Sequence, residues 1–151
     1  RCSVGAWIPA TPLECRPRDA RLIATFPWST MLAVALGAAI GAVLRWAAAV
    51  WINSAWQGFP LGTLLVNCAG GFLIGVALIG FERWPAELPR AFVITGFLGG
   101  LTTFSAFSGE SLQLLQRGQL ALAVVHASAH VFGSLVCVAA GFALARWMLR
   151  A

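Results

Sequence analysis

Charge is scarce in this chain and lysine is absent. Its 151 residues hold ten basic residues, all arginine, with five acids and two histidines. Only 10% of residues are charged, against about 25% in an ordinary soluble domain. With 60% hydrophobic residues and a mean hydropathy of +0.84, this excludes a soluble globular protein and marks an integral membrane protein. So short a chain has no mass for a separate soluble domain. The net charge of +5 and pI near 10.3 superficially suit nucleic acid. The arginines, however, are scattered through the N-terminal tail and the ends of apolar runs, so no nucleic acid partner is expected. The four cysteines, Cys2, Cys15, Cys68 and Cys137, form no CxxC pair. Cys68 and Cys137 lie in apolar segments and read as buried thiols. No nucleophile and base stand at an enzyme-like spacing. No carboxylate lies between Met31 and Ile52, and a small multidrug-type proton-coupled exporter, the nearest rival by size, needs one in its first span. A non-conducting membrane scaffold would give no reason for polar groups on three spans and a break within one of them.

What is present is long uncharged sequence: Trp46 to Phe81, Ala91 to Gly109 and Gly118 to Ala145. A span needs roughly 20 apolar residues. The pattern predicts an all-α membrane protein of four transmembrane helices, at about Met31 to Ile52, Pro60 to Phe81, Pro89 to Gln116 and Gln119 to Met148. Residues 1–30 differ from the rest. They contain Pro9, Pro12, Pro17 and Pro27 and lack the continuous apolar core of a secretory signal. They read as a disordered extension or a mis-assigned start, with the natural start at or near Met31 and the membrane domain over residues 31–151.

The third span is the unusual one. Gly96-Phe97-Leu98-Gly99-Gly100-Leu101-Thr102-Thr103-Phe104-Ser105-Ala106-Phe107 places two adjacent glycines and two adjacent threonines in the middle of a membrane helix. Gly costs roughly 1 kcal/mol relative to Ala there, and Thr offers the backbone other hydrogen-bond partners. The helix is expected to stop near Gly99 and restart near Thr102 or Thr103. Backbone groups freed within a bilayer must be satisfied by protein, water or an ion, so the break is a candidate binding site or else a flexible kink. Beyond it, Phe104 and Phe107 share a helix face.

Polar residues on the other spans are few and regularly placed. Arg45, late in the first span, either snorkels to an interface or lines an aqueous vestibule that attracts anions. Thr63 and Asn67 share a face of the second span, and Asn67 is either an interhelical hydrogen-bonder or a donor aimed into a pore. Glu110 is either an interfacial carboxylate or a group that handles ions. His126, His130 and Ser134 form a stripe at four-residue spacing. The two histidines could hold a metal or haem, but no other histidine exists and Cys137 is off the stripe. Gly37 with Gly41, and Gly71 with Gly75, suit close helix packing. Arginine counting favours termini inside only mildly, which permits insertion in both orientations. Four helices alone bury too little to enclose a pathway, so a homodimer is expected.

Gly41 to Trp46, Gly62 to Asn67, and Gly96 through Phe107 followed by Ser108 and Glu110 together resemble the Fluc (CrcB) family of fluoride channels, over about Met31 to Arg150. The resemblance implies an antiparallel, dual-topology homodimer in the cytoplasmic (inner) membrane with two fluoride pathways. It implies passive fluoride export that relieves fluoride toxicity. A structural Na+ would be held at the dimer centre by the backbone carbonyls of Gly99 and Thr102. The pore asparagine falls on Asn67 and the paired phenylalanines on Phe104 and Phe107. The family's polar track, usually Tyr then Ser, falls on His126 and His130, where this sequence departs from the pattern. Thr63, Ser105, Ser108 and Ser134 are further candidate lining, and Arg45 a vestibule residue. Deletion of residues 1–30 is expected to leave expression and transport intact, read by yield and anion flux; loss of flux would refute the start assignment.

Overall fold

The computed structural model describes residues 27–55 and 58–150, which are entirely helical apart from short connections. The expectation for residues 1–26 lies outside them. α1 is Trp28–Ala55 and α2 is Leu61–Arg83. The third span is split in two. Its first part, α3, covers residues 87–101, and its second part, α4, is Phe104–Gln116. α5 is Leu120–Met148. Four stretches are long and apolar enough to cross a membrane: Trp28–Asn53, Leu61–Arg83, Glu87–Gln116 and Leu120–Met148.

The boundaries move by a few residues from those read in the sequence. α1 starts at Trp28 rather than Met31, because Pro27 can cap a helix from outside and its carbonyl accepts the Met31 N–H at 2.9 Å. α2 starts one residue after Pro60, where Asn53 Oδ1 accepts the Gly62 N–H at 2.7 Å. The third span starts at Glu87 instead of Pro89, since Pro is tolerated in the first turn of a helix. The turn into α5 is made at Gly118, whose φ of 73° is open to glycine at no steric cost.

The break comes two residues later than Gly99. Helical geometry persists through Leu101, Thr102 and Thr103 are extended (φ −79°, ψ 155° and φ −152°, ψ 124°), and α4 begins at Phe104. The Thr102 hydroxyl donates to Leu98 O at 2.9 Å, which prolongs the helix's last turn. Thr103 Oγ1 accepts the Ala106 N–H at 3.1 Å and caps α4. The two threonines therefore close one helix and open the next. Upstream, α3 is α-helical over Glu87–Arg90, π-helical over Ala91–Leu98, and α-helical again over Gly99–Leu101. π-bulges of this kind are rare and frequently accompany functional sites.

Close backbone contact, not apolar volume, holds these helices together. Lipid removes the usual hydrophobic drive between membrane helices, so small residues that admit near approach do the packing. A side-chain Cβ at Gly37 or Gly41 would overlap the backbone of α3 at Phe92 and Phe97. A Cβ at Gly75 would overlap the Val138 carbonyl on α5, and one at Gly141 the Phe72 carbonyl on α2. Both glycine pairs read from the sequence thus lie at interfaces: α1 with α3, and α2 with α5. Gly70 faces the Thr102 methyl, so α2 also lies against the break. Leu98, 1% exposed, fills the centre with Val66 and Leu101.

Gly75→Val should destabilise the fold by about 1–3 kcal/mol or more, because the overlapped atom is backbone and cannot rotate away. Gly80, with nothing within 4 Å, should accept Ala with a gain of up to about 1 kcal/mol in helix propensity. Thermal unfolding in detergent, followed by size-exclusion chromatography, separates the two.

Candidate functional site

Asn67 lies on α2 opposite the break and binds both backbone groups of Thr103. Its Oδ1 accepts the Thr103 N–H at 2.8 Å, and its Nδ2 donates to Thr103 O at 3.0 Å. The backbone N–H can only donate, so the orientation of the amide is fixed. The remaining Nδ2 hydrogen points to His130 Nδ1 at 3.1 Å. That nitrogen must accept, and the ring's own proton then resides on Nε2. Both N–H bonds of Asn67 are therefore committed, and the donor left over belongs to His130. Both backbone groups of Thr103 are satisfied by protein, so the segment is not left as a flexible kink.

The aromatic pair follows directly. Phe104 and Phe107 meet edge to face at 5.3 Å. Phe107 also stacks on His130 at 4.7 Å and His126 at 5.6 Å, while Phe104 is 78% exposed on the protomer surface. Asn67, Thr102, Thr103, Phe104, Phe107, His130 and Ser134 line one cleft of about 360 Å³. Its walls are mostly apolar, with a few polar groups set among them.

A second group adjoins it toward the α4–α5 turn. Thr63, buried at 3% exposure, donates to Glu110 Oε1 at 2.5 Å. Glu110 Oε2 lies 3.5 Å from His126 Nε2, and His126 Nδ1 is 2.9 Å from Ser111 Oγ. His126 is fully buried, edge-on to Phe59 at 5.1 Å and 4.5 Å from the His130 ring. Glu110 also lines a cleft of about 150 Å³ with Asn53, Phe59, Gln113 and Arg117. The two clusters meet at the histidine pair.

The structure thus brings Thr63, Asn67, Phe104, Phe107, His126, His130 and Ser134 into one connected group of contacts. Ser105 and Ser108 are placed differently. The Ser108 hydroxyl donates to Phe104 O at 2.8 Å on its own helix, and Ser105 Oγ pairs with Thr103 Oγ1 at 3.3 Å. Arg45 stands apart at the end of α3, where its Nε donates to Gly100 O at 3.1 Å. It caps a helix C-terminus, where a cation is favourable. The sequence reading missed Thr103 as the anchored backbone, Ser111 as the partner of His126, and Phe59 as its apolar wall. Ser111 follows Glu110 directly in the chain, but its pairing with His126 is visible only once α4 lies against α5.

Asn67→Ala should leave the Thr103 N–H and C=O without partners, at about 1–3 kcal/mol for each buried group. Hydrogen exchange at the Thr103 amide should accelerate by about tenfold or more, with amides of the α2–α5 contact far less affected.

Comparison with known proteins shows the family. Residues 32–142 match the family described as CrcB-like protein, Camphor Resistance (CrcB). Among relatives, the fluoride-specific ion channel FluC of Pseudomonas aeruginosa (strain UCBPP-PA14) is 48% identical over 124 residues, covering 81% of this chain and 98% of the relative. That of Chromobacterium violaceum is 47% identical over 125 residues, covering 82% and 99%. That of Bordetella petrii is 52% identical over 118 residues, covering 76% and 89%. With the match spanning all four apolar helices and the break between α3 and α4, this chain belongs to the CrcB family of membrane proteins.

Proposed function

We propose that this chain forms a fluoride-selective channel that lets F− leave the cell passively across the cytoplasmic membrane, relieving fluoride toxicity. The observation that carries the reading is the anchored break: Asn67 holds Thr103 extended and so sets the Phe104–Phe107 pair beside the buried polar groups of α5. The names of the relatives supply the ion. The chemistry suits it. Fluoride is small and firmly hydrated, so a pore must replace its water with donors that do not trap it. Neutral donors and the positive edges of aromatic rings meet that requirement. A proton-coupled exporter of the small multidrug type lacks its carboxylate, since none lies in α1.

The working unit in this proposal is an antiparallel, dual-topology homodimer. Phe104 is exposed on the single protomer although its partner ring is half-buried, and a second copy would cover it. A structural Na+ at the dimer centre fits the residues present. The α3 C-terminus is the negative end of a helix. Leu98 O and Gly100 O already accept hydrogen bonds, whereas no hydrogen bond reaches Gly99 O or Thr102 O among the described residues. Two free carbonyls from each protomer are hard donors for a hard cation. The ion would neutralise the two helix ends and fix the subunits' crossing. Arg45, bound to Gly100 O, supplies positive charge at the same end, which suits an anion vestibule close by.

Purified protein in liposomes should release fluoride rapidly under a potassium-valinomycin shunt and retain chloride; equal release of both would reject the selective channel. Phe104→Ile and Phe107→Ile should each slow fluoride release by about tenfold, the equivalent of ~1.4 kcal/mol of lost ion stabilisation. Cross-linking should still capture the dimer of both variants.

A further inference from the structure

Among the described residues, three buried side-chain atoms have no hydrogen-bond partner: Glu110 Oε2, His126 Nε2 and His130 Nε2. They are not scattered. The three side chains each bring a polar atom within 4.8 Å of the others, and Glu110 lines one cleft while His130 lines the other. His126 is 0% exposed and His130 4%. Buried polar groups are nearly always paired; Glu110 Oε2 and His126 Nε2 lie 3.5 Å apart, and the unpartnered His130 Nε2 beside them marks a place for an occupant.

The spacing of two histidines and a carboxylate suggests a transition-metal ion, but Asn67 argues against it. Because Asn67 Nδ2 donates to His130 Nδ1, the proton of that ring sits on Nε2. A protonated ring nitrogen has no lone pair for a metal. Turning the ring or the amide would sacrifice the contact to His130 or both Asn67 bonds to Thr103. The same contact keeps His130 from becoming an imidazolium, since a second proton on Nδ1 would face the Asn67 N–H. His130 is therefore a neutral donor whose Nε2–H has no acceptor. An acceptor small enough for this gap, in a route read as carrying fluoride, is the anion itself.

Glu110 makes that occupancy conditional. An ionised Glu110, one of whose side-chain oxygens lies within 4.8 Å of a His130 ring nitrogen, repels an anion placed on that ring's donor. The neighbouring groups offer little compensation. α2 contributes the uncharged Thr63 and Asn67, the segment before it Phe59, and α4 the uncharged Ser111 beside Glu110. Arg117 lines the outer cleft with Glu110 but makes no ion pair with it among the described residues. The group that can cancel the charge is His126, whose Nε2 lies 3.5 Å from Glu110 Oε2. One proton from the aqueous cleft, bound at either atom, makes the pair neutral overall.

We propose that Glu110, His126 and His130 form a subsite that takes fluoride together with one proton. The proton is held between Glu110 Oε2 and His126 Nε2, and the anion accepts from His130 Nε2–H. No bond to fluoride forms and no other reactant is consumed. By reciprocity, fluoride raises the proton affinity of the pair by the factor that the proton raises the fluoride affinity. This proposal rests on the channel reading and adds to it a dependence on pH.

The test is fluoride current through the full-length protein in a planar bilayer, with symmetrical pH lowered from about 8 to about 5, the range in which histidine chemistry operates. Electroneutral HF leakage carries no current and does not interfere. The current at fixed fluoride concentration should rise about tenfold, a modest share of what one full charge at this distance imposes at an effective dielectric of about 20. Glu110→Gln, which carries no negative charge at any pH, should remove most of the pH response. If that variant fails to fold, the wild-type dimer in weakly buffered detergent should take up close to one proton per pore when sodium fluoride is added and none with sodium chloride. A fluoride current independent of pH, or no proton uptake, overturns the proposal and leaves the channel reading standing. Absence of fluoride current at every pH overturns the channel reading instead.

Discussion

Asn67's amide grips a peptide unit that would otherwise be untenable inside a bilayer. Thr102 and Thr103 leave the helical ladder in mid-membrane, where each unsatisfied backbone group costs several kcal/mol. One side chain from α2 satisfies both the N–H and the C=O of Thr103, while the two threonine hydroxyls finish α3 and begin α4. With those bonds in place the break is a fixed structure. Its consequences run outward: the Phe104–Phe107 pair is set at the start of α4, and Gly99 O and Thr102 O accept no hydrogen bond among the described residues, whereas Gly100 O accepts from Arg45. The second hydrogen on the same amide selects the tautomer of His130. Backbone geometry, ring placement and proton position thus share one cause.

That arrangement requires helices that come unusually near one another. α2 can reach Thr103 only because Gly70 leaves room for the Thr102 methyl. α1 and α5 brace the two sides through glycine contacts with α3 and α2. The bundle is consequently two tightly packed helix pairs with a polar seam between α2, α4 and α5. Large apolar side chains, such as Leu36, Val43, Trp46 and Trp51 on α1, face outward as expected for lipid or a second subunit.

Much of this was legible in the sequence because the signals are local. Paired glycines and paired threonines within an apolar run are poor helix, and they mark the break to within two residues. Four-residue spacing put Thr63 with Asn67 and His126 with His130 on shared faces, and both pairs point into the seam. The π-helical stretch of Ala91–Leu98 was not legible, because i to i+5 bonding has no residue signature of its own. Nor was the fate of Arg45, for which snorkelling and a vestibule were both open; its contact with Gly100 O depends on how α1 crosses α3. Glu110 looked interfacial by position, yet Thr63 and His126 draw it inward from two other helices. Contacts across helices follow from crossing geometry, which periodicity does not encode.

A single protomer leaves Phe104, the first residue of the resumed helix, on the surface. In the proposed dimer that face meets the same face of an inverted copy, and fluoride passes along the covered seam. The most direct measurement is a crystal structure grown from sodium fluoride. It should show two antiparallel chains crossing at Thr102-Thr103, with Phe104 buried between them and ion density against the Phe104–Phe107 edges. Phe104 facing lipid, with the two breaks apart, would contradict it.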